Sequence, residues 1–149
     1  MSPQTLTDVY PFDGMCAINI DHQSQEYRVC WTGDKRKPPN LSSFPELDGA
    51  TATRIPHSAA VDGLWTRSKV MSHGYDSHIR ELVDCDDEFP ICKVAINSRQ
   101  RRLVEDEFRL LRHLSTLELS IPIAKTSIEA LEDDGGIYGF RMEKLEPLD

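Results

Sequence analysis

Lys93 and Glu107 are the two residues whose type and spacing suggest chemistry. Lys93 stands inside an otherwise apolar run, Ile91-Cys92-Lys93-Val94-Ala95-Ile96, that reads as a short buried strand. An amine in that setting must find a partner or shift its pKa. The helix expected from Ser98 to Leu114 supplies one. Taking about 100° per residue from Leu103, the side chains of Leu110, Leu114, Leu111 and Val104 fall within roughly 60° of one direction. Glu107 falls near the middle of that stripe, while Glu105, Arg109 and Arg112 lie opposite. A carboxylate on an apolar helix face calls for a cation, and Lys93 is the one at hand. The two are expected within salt-bridge distance, and if they are shielded, losing one partner should cost about 3–5 kcal/mol. The same pair also reads as a satisfied structural ion pair without function.

A strand lysine paired with a helix glutamate is the arrangement that aligns ATP phosphates in protein-kinase-like enzymes. Ile91-Cys92-Lys93 resembles that superfamily's A-I-K strand, and Glu107-Phe108-Arg109-Leu110-Leu111 resembles its E-x-x-x-L helix. Ile137 to Leu145 looks like the fifth strand running into the interlobe hinge. The resemblance covers about residues 64–149, the small N-terminal lobe only, and is closest to the divergent kinase-like phosphotransferases of filamentous fungi. It implies ATP as cofactor, with Lys93 and Glu107 at the phosphates. It places Met142 as gatekeeper, the backbone of Glu143 to Leu145 at the adenine edge, and Val70, with Ala95, as the roof. The loop Ser72-His73-Gly74-Tyr75-Asp76-Ser77 would cover the phosphates. It offers one glycine, Gly74, where the family has up to three, although glycines let backbone N–H groups approach phosphate.

The elements that must position these residues give an α+β fold: an antiparallel sheet of about five strands with one main packed helix, preceded by a β-hairpin extension. Residues 1–50 read as that extension and 51–149 as the lobe-like domain. Within the extension, residues 1–14 read as a loose lead-in. Met15–Ile20 and Tyr27–Trp31 read as a hairpin, and Thr32–Gly49 as a Pro-rich linker whose Lys35-Arg36-Lys37 is a solvated triplet. Leu64–Met71 alternates apolar and polar residues as a half-exposed strand does, and His78–Val83 reads as its neighbour. Asp84–Glu88 reads as a solvated acidic turn. Ser98 is the expected N-cap, yet Arg99, Arg101 and Arg102 crowd a helix start that disfavours cations. Either the helix starts later or those arginines have acidic partners. Ile123–Leu131 and Ile137–Leu145 read as a hairpin across Glu132-Asp133-Asp134-Gly135-Gly136.

A chain of 149 residues with 39% hydrophobic residues can bury a core of its own. The net charge of -8 argues against non-specific binding to nucleic acid or an anionic membrane. The start, Met1-Ser2-Pro3-Gln4-Thr5, lacks the features of a signal peptide, so cytosol or nucleus is expected. Cys16, Cys30, Cys85 and Cys92 lack metal-ligand spacing, and Cys16 and Cys30 sit symmetrically about the hairpin turn, where a disulfide is one reading and two buried free thiols the expected one. Nothing resembles H-R-D-x-x-x-x-N or D-F-G, the source of base and metal ligands in the kinase-like family, so no catalytic or metal residues are assigned. The chain therefore reads as a small lobe, truncated at the hinge, that does not catalyse alone. The alternative is a non-catalytic module docking on a protein partner through the face a large lobe would cover.

Overall fold

The computed structural model describes residues 2–83 and 86–145. The chain divides into two compact units. One holds the residues up to Thr66 together with Ser72–Tyr75, and the other holds Arg67–Met71 together with the residues from Asp76 on.

The first unit is built on a five-stranded antiparallel sheet: β1 (Gln4–Thr5), β2 (Tyr10–Phe12), β3 (Met15–His22), β4 (Gln25–Trp31) and β5 (Ala50–Ile55). The expected hairpin is β3–β4, closed by Gln23 and Ser24, both at positive φ (52° and 62°). The lead-in is not loose, because β1 and β2 both pair with β3. Asp13 and Gly14 turn β2 into β3 with φ of 52° and 76°, the left-handed pair a two-residue hairpin needs. The supposed linker folds onto the sheet. Its Phe44 is buried against Ile18, Ile20, Val29 and Trp31 and meets the rings of His22 and Tyr27 edge-on. Cys16 lies opposite Trp31 and Cys30 opposite Ala17, so the two cysteines do not face each other. Both are free thiols. Of the strand expected over Leu64–Met71, Ser68–Met71 lies in a strand, but its first residues are instead the end of helix α1 (Ala59–Thr66). Val61, Leu64 and Trp65, spaced for one helical face, are its buried residues.

The second unit holds β6 (Ser68–His73) up to Met71, β7 (His78–Leu82), β8 (Ile91–Val94), helix α2 (Ser98–Leu114), β9 (Leu131–Asp133) and β10 (Gly136–Met142). Its sheet runs β6-β7-β8-β10-β9, with β7–β8, β8–β10 and β9–β10 antiparallel. The fold is thus α+β, with two five-stranded antiparallel sheets and two helices among the described residues. Helix α2 spans the expected residues, but its N-cap is Asn97, one position earlier. Asn97 is extended, and its side chain accepts the Gln100 N–H at 2.9 Å. Of the strand expected over Ile123–Leu131, only Leu131 enters β9, and Thr126 makes an isolated bridge to Met142. Ile128, in the middle of that stretch, is 77% exposed and so has no packing surface to hold it in a sheet. No helix among the described residues is long and apolar enough to cross a membrane.

The roll of α2 departs from the leucine stripe. Its buried residues are Gln100, Val104 and Phe108, with Leu111 half-buried, while Leu110 is exposed. That line lies about 50° from the expected one. Phe108, the largest apolar side chain of the helix, decides it by packing on Phe140 with ring centroids 5.6 Å apart.

Candidate functional site

Lys93 and Glu107 meet. The lysine Nζ lies 2.6 Å from Glu107 Oε2 and donates to Oε1 at 2.9 Å. The rolled helix leaves Glu107 on the flank of the buried line, so the pair is not shielded: the side chains are 23% and 39% exposed. Partly hydrated ion pairs contribute little, because water screens the attraction and both side chains lose freedom. Glu107→Ala is therefore expected to cost about 1 kcal/mol rather than several, measured by urea denaturation. The same openness leaves the ammonium accessible to an incoming anion.

Strand register identifies the neighbours of Lys93. Ile79 of β7 and Phe140 of β10 lie opposite it, and Ile91 and Ala95 stand two residues to either side. Met142 lies opposite Ile91 and packs, half-buried, at the edge of the α2 core, where Ala95 is itself covered by Val104, Phe108 and Phe140. Val70 falls on the other face. It is two residues from Ser68, whose hydroxyl accepts from Arg80 Nε at 2.7 Å, and Arg80 lies opposite Cys92. The apolar side chains on the Lys93 face are thus Ile79, Ile91 and Ala95; Ile79 is half-buried, Ile91 and Ala95 are buried, and Val70 is not among them. The sequence carried that signal in the alternation of His78–Leu82, whose buried and half-buried residues alternate.

At the strand exit, the Glu143 N–H donates to the Lys125 carbonyl at 2.9 Å, and its carboxylate accepts the Lys125 N–H at 3.0 Å. That amide is committed to the protein and cannot serve an adenine edge. Leu145 is 63% exposed. Between them, Lys144 Nζ reaches Glu81 Oε2 at 2.9 Å, and Lys69 Nζ lies 4.0 Å from the other oxygen. The Lys144 hydrogen bond holds the Glu81 carboxyl below its ordinary range. Gly74 lies in the connection after β6, within the residues that group with the first unit. Asp76 of the same connection belongs to the second unit and points toward Arg99, 3.9 Å from its Nη2. Of the acidic link, Asp87 is not merely solvated: it pairs with Arg141 and accepts the Phe89 N–H, which lowers its pKa. Asp84 and Cys85 lie outside the described residues. No group of three potential metal ligands occurs among the described residues.

On the opposite face of β8, burial pushes the Cys92 thiol up from 9.0 to about 11. An unfolded chain would release that proton near pH 9, whereas the folded chain resists until about 11. Stability is therefore complete below pH 9 and falls as pH rises toward 11, by up to about 1.4 kcal/mol per pH unit from this group. Denaturation midpoints across that range should fall less steeply for Cys92→Ala than for the wild type.

A second polar constellation, in the first unit, escaped sequence reasoning because its members are distant in the chain. Glu26, only 2% exposed, accepts from Asn19 Nδ2 at 2.5 Å and lies 2.6 Å from His57 Nε2. The Tyr10 hydroxyl donates to Asn19 Oδ1 and accepts from Arg28 Nε at 3.1 Å. Burial raises the Tyr10 pKa. These groups satisfy one another.

No family model, curated protein or solved structure matches this chain.

Proposed function

We propose that the second unit is the small, nucleotide-facing lobe of a protein-kinase-like phosphotransferase. One observation carries this reading. A lysine on the third strand of a five-stranded antiparallel sheet sits 2.6 Å from a glutamate on the helix that follows. In kinase-like enzymes that pair aligns the phosphates of ATP. Here Lys93 would hold phosphate oxygens, Glu107 would orient the ammonium, Ile79 and Ile91 would cover the base, and Met142 would stand at the gatekeeper position. These residues bind and orient; none is a base or a magnesium ligand. In that family a large lobe supplies both, so these 149 residues hold nucleotide without transferring its phosphoryl group. The setting is the cytosol or nucleus, and the -8 charge disfavours nucleic acid or an anionic membrane as partner.

A second reading, a module that docks on a protein partner, is favoured by one feature. An open apolar groove of about 220 Å³ is lined by Leu114, Leu117, Leu119, Ile121 and Ile123.

Titration calorimetry with magnesium and ATP tests the first reading. A one-sided site buries little of its ligand, so the expected dissociation constant is about millimolar, roughly -4 kcal/mol. Micromolar, magnesium-dependent binding would show that the chain holds far more of a nucleotide site than this reading allows.

A further inference from the structure

Helix α2 is fastened mainly at its first turns. Asn97 caps it, and the buried Gln100 side chain accepts the Ile96 N–H at 2.8 Å. Arg101 makes two parallel bonds to Asp133, the last residue of β9: Nη1 to Oδ1 and Nη2 to Oδ2, both 2.9 Å. The Asp133 side chain is 5% exposed, and its Oδ1 also accepts the Gly135 N–H. A Cβ on Gly135 would come within 3.1 Å of Arg101 Nη1, so the turn leaves room for the guanidinium and little else.

On the helical wheel, Arg101 and Glu107 project about 60° to either side of the buried line formed by Gln100, Val104 and Phe108. Two ion pairs therefore bracket that line, one reaching the end of β9 and the other β8. The first is bidentate and largely covered; the second is open to water. A two-pronged guanidinium contact tolerates little rotation, so the covered pair holds the roll that the Phe108–Phe140 contact selects, and the open pair follows.

We propose that Arg101 and Asp133 are a positioning pair that fixes the roll of α2 and so keeps Glu107 within reach of Lys93. The proposal deepens the nucleotide reading and rests on it only for the consequence at the ligand. There, loosening a contact remote from the phosphates would weaken their binding by freeing Lys93.

The test is NMR of protein labelled with 15N-lysine, without nucleotide, with the Lys93 ammonium signal assigned from Lys93→Arg. A lysine held by Glu107 exchanges its ammonium protons slowly with water, and Glu107→Gln defines the released state. Arg101→Ala should speed that exchange by about threefold or more, as coupled groups of one network do. Arg101→Lys, which keeps the charge but cannot make two parallel bonds, should fall between. Should Arg101→Ala fail to fold, Arg101→Lys and Asp133→Asn are read in its place. Wild-type exchange in the folded variants, with only the melting temperature lowered, would overturn the proposal and leave the pair a simple brace. Because no nucleotide is present, a failure of ATP to bind leaves this outcome readable.

Discussion

Replacing Glu26 with alanine is expected to lower the unfolding free energy by about 4 kcal/mol, within the range for breaking a buried charged contact. The carboxylate is 2% exposed and meets two donors on different elements: Asn19 on β3 and His57 in the segment before α1. Removing it leaves those polar groups buried without their acceptor, and the desolvation they paid on folding is no longer returned. Glu26→Gln separates charge from hydrogen bonding. The amide oxygen can still accept from Asn19, so its loss should be about half as large. Chemical denaturation of the three proteins is the check, and a Glu26→Ala variant within 1 kcal/mol of the wild type would contradict the network.

Gly139→Ala is expected to cost about 3 kcal/mol, the upper end for overpacking, because the obstruction is backbone. A Cβ there would sit 2.6 Å from the Lys93 carbonyl oxygen and 3.4 Å from both Val94 Cα and Leu131 Cδ1. Side chains can swing aside, but a carbonyl in a sheet ladder can move only with its strand. Strand β8 carries Lys93, so the substitution strains the candidate site as well as the fold. Gly63 in α1 is the control. Nothing lies within 4 Å of its added Cβ, and alanine there should be neutral or stabilise by up to about 1 kcal/mol. Equal denaturation midpoints for the two variants would contradict the β8–β10 register.

The lysine strand, the bounds of α2 and the β3–β4 hairpin were legible because local periodicity and turn residues determine them. So was the Lys93–Glu107 contact, since the two residues are only fourteen positions apart. Its exposure was not legible, because the helix roll depends on Phe108 finding Phe140 across the core. Strands β1 and β2 have two and three residues and exist only as partners of β3, although Asp13-Gly14 advertised a tight turn. The Cys16–Cys30 register failed by one residue. The two-residue turn places the hairpin axis between Gln23 and Ser24, not on Gln23, and that slip sends the cysteines to opposite faces. Of the two readings of the arginine-rich start of α2, acidic partners hold for Arg101 and Arg99. Asp133 stands thirty-two residues away, and no spacing rule spans that distance.

The proposed role of Lys93 as a phosphate ligand is tested most directly by site-resolved NMR titration with magnesium and ATP. The wild-type chain should show saturating shifts centred on Lys93, Ile79, Ile91 and Met142, with a dissociation constant of about 1 mM. In Lys93→Met the affinity should fall about tenfold, the cost of losing a charge-assisted hydrogen bond to phosphate. Shifts centred elsewhere, or an unchanged affinity in Lys93→Met, would contradict it.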